Sequence, residues 1–327
     1  MNMRDDVHIC ALLRHFKSDI EYLHFGDFWV QKLTEEDRKQ FCTDLKYFNN
    51  YWDDYYIAAE NHHIGRGEFD DFLSRRVRVF WFPLFRLMKL FKRGDLIIPF
   101  CFTYVYKKSR EMRFHGDSYA LGCWLLKDAE PYFLEKKDIE PFNTFRKEIG
   151  QYLKYIDISD SPYRKYKTMS DIDTRCILAI HILLKGSMEH HNPFLIIDTL
   201  IDYTIALESL YLLRGEDKRQ NLSSRIAALL GKDEREQEQI SHIIKKLYDI
   251  RSDIVHGSLM DREGDEFLRA NIYEYGDYLR KSILAFLDLN LRDPSKKVVL
   301  GVIDKAILDT DLRREIQGSL KVLRLAR

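Results

Sequence analysis

The sequence predicts an α+β fold, with an N-terminal mixed α/β domain over residues 1–165 and a C-terminal all-α helical domain over residues 170–327. Segments rich in aromatic and β-branched residues, which favour strands, occur in the first part of the chain. From Asp171 onward, apolar residues instead recur at the spacing of one helical face. Between these parts, Asp157–Thr168 contains serine, proline and lysine, and we interpret it as a linker.

The N-terminal domain is predicted to contain strands and at least one helix. Thr34 can cap a helix whose first turn is acidic, and carboxylates in a first turn suit the helix dipole. Gly-Asp pairs mark turns. We expect this domain to serve as a sensor, as a regulatory domain or as an RNA-contacting domain. The predicted strands are Arg76–Phe82, Leu96–Tyr106 and Phe114–Trp124.

The C-terminal domain is predicted to be an antiparallel bundle of helices. Asn192 and Asp233 are placed to cap two of them, Pro193 suits a first helical position, and Gly231 suits a helix end. The predicted helices are Asp171–Lys185, Pro193–Leu213, Arg219–Leu230, Glu234–His256, Glu266–Asn290, Lys297–Leu308 and Asp311–Leu325.

Global properties limit the class of protein. The 327 residues carry a formal net charge of zero, so the overall charge does not indicate a nucleic-acid partner. The first residues lack the apolar core of a signal peptide, and the chain has no run of about 18 uncharged apolar residues. The five cysteines show neither zinc-site nor redox spacing. We therefore expect a cytoplasmic protein with no membrane span, no metal and no other cofactor.

One segment departs from this neutrality. Arg75–Arg113, the basic-aromatic segment, contains eleven Lys or Arg and two acidic residues, a net charge of +9, with aromatic residues interleaved. Such a surface could bind single-stranded RNA, because cations neutralise phosphates and aromatic rings stack on bases. A half-buried sheet with its cations in solvent is the favoured alternative. The candidate RNA-binding residues are Arg75, Arg76, Arg78, Lys107 and Lys108.

The strongest candidate for a reaction centre is Lys245–Ser258, with the sequence KKLYDIRSDIVHGS. Its apolar residues recur at helical spacing, and Gly257 is placed to end the helix in a left-handed conformation. Arg251 and His256 are separated by four residues. A permanent cation can hold a phosphate, and a histidine can transfer protons near neutral pH.

This stretch resembles the signature of the HEPN superfamily, and of the Apea-like HEPN family in particular. In that family a tyrosine-rich helix runs into an arginine, a polar residue and a closing His-Gly. The segments IDYTIALESLYLL (Ile201–Leu213) and SSRIAALLG (Ser223–Gly231) resemble its preceding helices, in the same order. The resemblance covers roughly Asp171–Asn290 and implies a HEPN helical bundle.

The resemblance also implies a function. HEPN domains of this kind are metal-independent endoribonucleases, in which the ribose 2′-OH attacks the adjacent phosphorus and leaves a 2′,3′-cyclic phosphate. They act as homodimers or higher even-numbered oligomers, often as toxins or antiviral-defence effectors. A regulatory protein or a phage-derived trigger is a further possible partner. The alternative is a non-catalytic HEPN module that binds RNA, nucleotide or a partner protein.

Roles follow for the motif residues. We assign Arg251 to stabilising the charge of the transition state and His256 to acid/base catalysis. Ser252 follows the arginine, where catalytic members often have Asn, Asp or His, and it can hydrogen-bond without titrating. Asp253 is interpreted as a solvated helix residue that could orient Arg251. Tyr248 is expected to pack, with stacking on a base as the alternative.

Glu208 falls near the apolar stripe of an earlier predicted helix. A carboxylate near a core needs a cationic or hydrogen-bonding partner, and Arg251 or Arg225 could supply it. The favoured interpretation is that Glu208 forms a salt bridge that stabilises the helical bundle. The resemblance implies that this carboxylate lies near Arg251 and His256.

The spacing of the motif raises a geometric problem. On a regular helix, five positions at about 100° each place Arg251 and His256 about 140° apart. Either the helix bends near Ser252, or each side chain meets its counterpart from a second chain. The resemblance favours the second arrangement.

Overall fold

The computed structural model describes residues 4–13, 16–25, 28–35, 56–65, 83–94, 96, 101–105, 112–114, 131–153, 170–189 and 195–326. The chain separates into two units, Met1–Thr144 and Phe145–Arg327. Helices predominate and a few short strands accompany them, so the fold belongs to the α+β class. The linker predicted at Asp157–Thr168 lies outside the described residues.

The N-terminal unit contains a sheet of six antiparallel strands in the order β3-β4-β5-β1-β6-β7. Inside the sheet, β1 pairs with β5 from Arg4 opposite Gly65 to Leu13 opposite Tyr56. The short strands β2 and β8 form a separate parallel pair. The strand bounds are β1 (Arg4–Leu13), β2 (Phe16–Lys17), β3 (Tyr22–Phe25), β4 (Phe28–Lys32), β5 (Tyr56–Gly65), β6 (Cys101–Val105), β7 (Met112–Phe114) and β8 (Tyr132–Phe133).

The strand predictions are confirmed only in part. β6 lies within the predicted strand Leu96–Tyr106. The candidate Arg76–Phe82 lies outside the described residues, as does all of Phe114–Trp124 except Phe114, which ends β7. The long strands β1 and β5 were not predicted, because their Ala, Asn, Asp and His residues have low strand propensity. Pairing within a sheet overrides such weak preferences.

A helix, α1 (Pro83–Phe91), occupies part of the basic-aromatic segment. Phe85 and Phe91 are buried, and so are the cations Arg86 and Lys89. Over these residues the chain therefore forms a helix instead of the half-buried sheet that was favoured, and two of its cations are buried. Proline at the first helical position explains why a helix can start there, since its missing N–H would have no partner.

The helices from Asp171 onward agree with the predicted ones to within a few residues, whereas the helix Ile139–Leu153 was not predicted. The C-terminal unit packs them around one continuous apolar core, and none of the helices in the described ranges is long and apolar enough to cross a bilayer. Their bounds are α2 (Ile139–Leu153), α3 (Asp171–Glu189), α4 (Ile196–Tyr211), α5 (Lys218–Leu230), α6 (Glu234–Val255), α7 (Arg262–Asn290), α8 (Lys296–Leu308), α9 (Thr310–Ser319) and α10 (Lys321–Leu325).

Several helix ends differ from the predictions, and α3 runs to Glu189 rather than Lys185. α4 begins at Ile196, while the proposed cap Asn192 and Pro193 lie outside the described residues. α7 begins at Arg262 rather than Glu266, because Asp261 caps it by accepting a hydrogen bond from the N–H of Gly264. The last predicted helix, Asp311–Leu325, is two helices that meet at Leu320.

Tyr203 on α4 shows how closely the helices of the C-terminal unit approach one another. A Cβ at Gly186 on α3 would lie 2.3 Å from the ring of Tyr203, and a Cβ at Gly276 on α7 would lie 3.0 Å from it. The two glycines therefore accommodate this large buried ring between three helices. This packing fixes α4, which carries Glu208, relative to its neighbours.

Candidate functional site

The candidate motif lies at the C-terminal end of α6. Asp233 caps the start of this helix by accepting from the N–H of Glu236 at 2.8 Å, as predicted. Five apolar residues of α6 are buried against the core, which fixes how the helix is rotated. They are Ile240, Ile243, Ile244, Leu247 and Ile250.

Gly257 ends α6 as predicted. Its φ is +84°, in the left-handed region that glycine enters without strain. The N–H of Gly257 donates to the carbonyl of Ile254 at 3.0 Å, and the N–H of Ser258 donates to that of Asp253 at 2.9 Å. This pair of bonds is a Schellman motif, which satisfies the last carbonyls of a helix.

His256 is the residue at which the helix ends. Its φ of −88° and ψ of 6° are no longer helical, and its N–H donates to the carbonyl of Ser252 at 3.0 Å. The helix is therefore continuous through Ser252, and the predicted alternative of a bend there is not observed. The imidazole of His256 is exposed, and within the described part of the chain it has no hydrogen-bond partner.

Arg251 lies one turn before this end and is half buried. Its Nε is buried without a hydrogen-bond partner. Among the residues that the structure describes, the guanidinium forms neither a hydrogen bond nor a salt bridge. A buried donor without a partner costs about 1–3 kcal/mol, so this arrangement favours a site that is completed by an anion.

Glu208 reaches the motif from α4, and its partner differs from both predicted ones. Arg225 instead binds Glu216 and Asp304, and Arg251 does not hydrogen-bond Glu208. The Nζ of Lys218 lies 3.4 Å from Oε2 of Glu208. The other oxygen, Oε1, is buried without a hydrogen-bond partner.

Tyr248 shows that these charged groups share one environment. Burial and then the negative charge of Glu208 raise the pKa of Tyr248, and the positive charge of Arg251 partly offsets them. Behind this group, Tyr275 on α7 is fully buried, and its hydroxyl lies 3.0 Å from Oγ1 of Thr204. Burial raises the pKa of Tyr275 as well. The structure therefore brings together Arg251, Glu208 and Tyr248.

Among the described residues, no side-chain hydrogen bond or salt bridge joins the other two supporting candidates to this group. Ser252 is half buried, and its carbonyl is used in the helix. Asp253 is exposed, and in the described part of the chain no hydrogen bond or salt bridge joins it to Arg251. The predicted orienting role of Asp253 is therefore not observed.

Sequence reasoning missed two basic residues at the start of α5. Asp217 caps this helix, and Lys218 and Arg219 follow it. Arg219 binds both oxygens of Asp249 on α6 at 2.6 Å, which ties the start of α5 to the end of α6. The signal in the sequence was a basic pair directly after a capping aspartate. Only the packing of the helices places Lys218 beside Glu208.

The remaining candidates are the five residues proposed for RNA binding. Arg75, Arg76, Arg78, Lys107 and Lys108 lie outside the described residues. No group of three or more potential metal ligands occurs within the described ranges. A groove of about 510 Å³ lies along the first half of α6, beside α5, α8 and α9, and neither Arg251 nor His256 lines it.

Comparison with known proteins found no match to this chain among protein-family models, curated proteins or solved structures.

Proposed function

We propose that this protein is a metal-independent endoribonuclease of the HEPN type. The observation that carries the proposal is Arg251, a half-buried guanidinium without an anionic partner in the described part of the chain, close along the helix to an exposed histidine. A phosphate diester would supply the missing acceptors, since guanidinium groups bind phosphate oxygens through paired hydrogen bonds.

The reaction needs few groups. The 2′-oxygen forms a bond to phosphorus and loses its proton, while the bond from phosphorus to the 5′-oxygen breaks and that oxygen gains a proton. His256 exchanges one of these protons. Arg251 stabilises the negative charge that grows on the phosphate oxygens in the transition state. The products are a 2′,3′-cyclic phosphate and a 5′-hydroxyl.

A second copy of the chain is part of the proposal. Apolar side chains on either side of His256 are exposed, with Val255 at 49% and Leu259 at 98%. Adjacent exposed apolar residues are typical of a surface that a partner covers. A homodimer, or a higher even-numbered oligomer, would cover these residues and bring Arg251 of one copy to His256 of the other.

The wider role is a further proposal. In the HEPN family, such an activity serves toxins and antiviral-defence effectors, so we infer that this ribonuclease is restrained or triggered through the N-terminal unit, by a regulatory protein or a phage component. The resemblance in Lys245–Ser258 supports this part, together with the α-helical C-terminal unit.

Purified protein incubated with single-stranded RNA in EDTA tests the activity. We expect cleavage with 2′,3′-cyclic phosphate ends, none on a 2′-deoxy strand, and none by His256→Ala or Arg251→Ala proteins that keep their circular dichroism and oligomeric state. Lys297→Ala, an exposed substitution on α8, is the matched control. RNA binding without cleavage by the unmodified chain would favour the non-catalytic alternative.

A further inference from the structure

Lys218 stands at the edge of the candidate site. It is the first residue of α5, its side chain is 57% exposed, and its Nζ lies 3.4 Å from Oε2 of Glu208. A long, solvent-facing ion pair of this kind contributes little to stability. The ammonium group also has three donors, so most of them remain available to a ligand.

The neighbouring arginine is already engaged. Arg219 donates from Nε and from one terminal nitrogen to the two oxygens of Asp249, each at 2.6 Å. The hydrogen bonds that Arg219 donates to Asp249 are the first cause that raises the pKa of Arg219. Of the basic pair at the start of α5, only Lys218 can therefore turn toward a phosphate without losing a bidentate salt bridge.

The charges around Arg251 show why a second cation is needed. Glu208 lies in the same environment as Arg251 and Tyr248, and its carboxylate would repel an incoming polyanion. Arg251 alone would offset one negative charge. Lys218 supplies a further positive charge on the side of Glu208 that faces solvent.

We propose that Lys218 binds the phosphate adjacent to the one held by Arg251. The RNA strand then runs from the C-terminal end of α6 toward the N-terminal end of α5. This inference rests on the proposed function and narrows its substrate to single-stranded RNA that carries at least two consecutive phosphates. A single ribose-phosphate unit would engage Arg251 without engaging Lys218.

Binding to a fluorescent single-stranded RNA oligomer, measured as a function of salt in the non-cleaving His256→Ala protein, tests this role. Adding Lys218→Gln is expected to weaken binding about threefold to tenfold at low salt and to make the slope of log affinity against log salt shallower by about 0.7, because one phosphate contact is lost. Lys232→Gln is the matched control. This exposed lysine precedes the start of α6, about 28 Å from Arg251 by the rise of a helix. We expect Lys232→Gln to leave the slope unchanged.

A purely electrostatic role through Glu208 predicts a different result. If Lys218 only neutralises this carboxylate, the effect of Lys218→Gln disappears once Glu208→Gln has removed the negative charge. Direct contact with phosphate predicts that the change in slope persists in the Glu208→Gln background. Loss of the effect there, or equal slopes for Lys218→Gln and Lys232→Gln, would overturn the inference.

The cleavage assay separates this inference from the proposed function. The unmodified chain could cut RNA while the salt slope of Lys218→Gln equals that of the control. That result would reject the role of Lys218 and leave the proposed function in place. If the unmodified chain neither cuts nor binds RNA, both the proposed function and this inference are rejected.

Discussion

Two arginines in the C-terminal unit, one buried and one half buried, differ in whether they have partners. Arg225 is 3% exposed and binds Glu216, Asp304 and the carbonyl of Tyr211. The hydrogen bond from Arg225 is the first cause that holds the pKa of Glu216 below its usual value. Arg251 has no such partner within the described part of the chain. The first arginine is held within the fold by these contacts, and we propose that the second binds a ligand.

This contrast predicts a gain in stability that accompanies a loss of activity. Arg251→Met keeps a flexible apolar stem and removes a half-buried cation whose Nε has no partner among the described residues. We expect the free energy of unfolding to stay the same or to rise by up to about 1 kcal/mol, while RNA cleavage is lost. Urea denaturation and the cleavage assay measure the two effects.

Arg225→Met is the matched control for that substitution. It leaves two carboxylates without their cation, so the free energy of unfolding should fall by about 3 kcal/mol or more. A loss of the same size for Arg251→Met would contradict the assignment of Arg251 to a ligand site and would make it a structural residue.

At the scale of single elements, the end of α6 depends on the conformation of one glycine. Gly257 has a φ of +84°, and a Cβ there would meet no atom within 4 Å. Backbone strain alone should therefore make Gly257→Ala less stable by about 1 kcal/mol. Thermal unfolding measures this loss.

Gly301 supplies the comparison. It lies inside α8, and a Cβ there would also meet no atom within 4 Å. Because its backbone is helical, Gly301→Ala should raise stability by about 0.5–1 kcal/mol. Equal effects of the two substitutions would show that the left-handed conformation of Gly257 is not what matters.

Another element, α10, is held by a carboxylate from α7. Oδ2 of Asp288 accepts from the N–H groups of Val322 at 2.8 Å and Leu323 at 3.3 Å. Burial raises the pKa of Asp288 to about 6, although these bonds and the nearby Arg292 and Arg324 act in the opposite direction. The folded chain therefore binds this proton up to a higher pH than the unfolded chain does.

The pH dependence follows from that shift. As the pH rises from about 4 to about 6, the unfolded chain loses the proton of Asp288 first, so this group lowers stability across that window. Asp288→Asn keeps an acceptor and cannot ionise. It should be more stable than the unmodified chain at pH 7.5, by an amount on the order of 1 kcal/mol, and equally stable at pH 4. Urea unfolding at both pH values measures the difference. Asp288→Ala is the control: it lacks the acceptor, so it should be less stable than Asp288→Asn at both pH values.

At the scale of the whole molecule, the proposed dimer can be tested by complementation. If each site combines Arg251 of one copy with His256 of the other, mixing Arg251→Ala and His256→Ala chains restores one site in each mixed dimer. An equimolar refolded mixture should then regain roughly a quarter of the cleavage activity. Activity that stays at the level of the separate variants would show that both residues act within one chain.

The sequence predicted much of the C-terminal unit because its signals are local. Asp233, Gly231 and Gly257 mark helix ends through their own backbone and side-chain preferences, and the structure confirms all three. The strands β1 and β5 were not predicted, because their residues have weak or conflicting preferences. The helix α1 was not predicted either, although its Leu, Met, Lys and Arg residues favour a helix. There the final conformation depends on what each segment packs against.

By itself, the sequence determined the α+β class, the helices of the C-terminal unit and the position of Arg251 and His256 at a helix end, since periodicity and capping act over a few neighbouring residues. Only the tertiary structure decided which charges have partners. Arg225 and Arg251 are both arginines on amphipathic helices, yet one lies between two carboxylates and the other has none among the described residues. That difference arises from contacts between residues far apart in the chain, such as Arg225 with Asp304, and no local pattern specifies them.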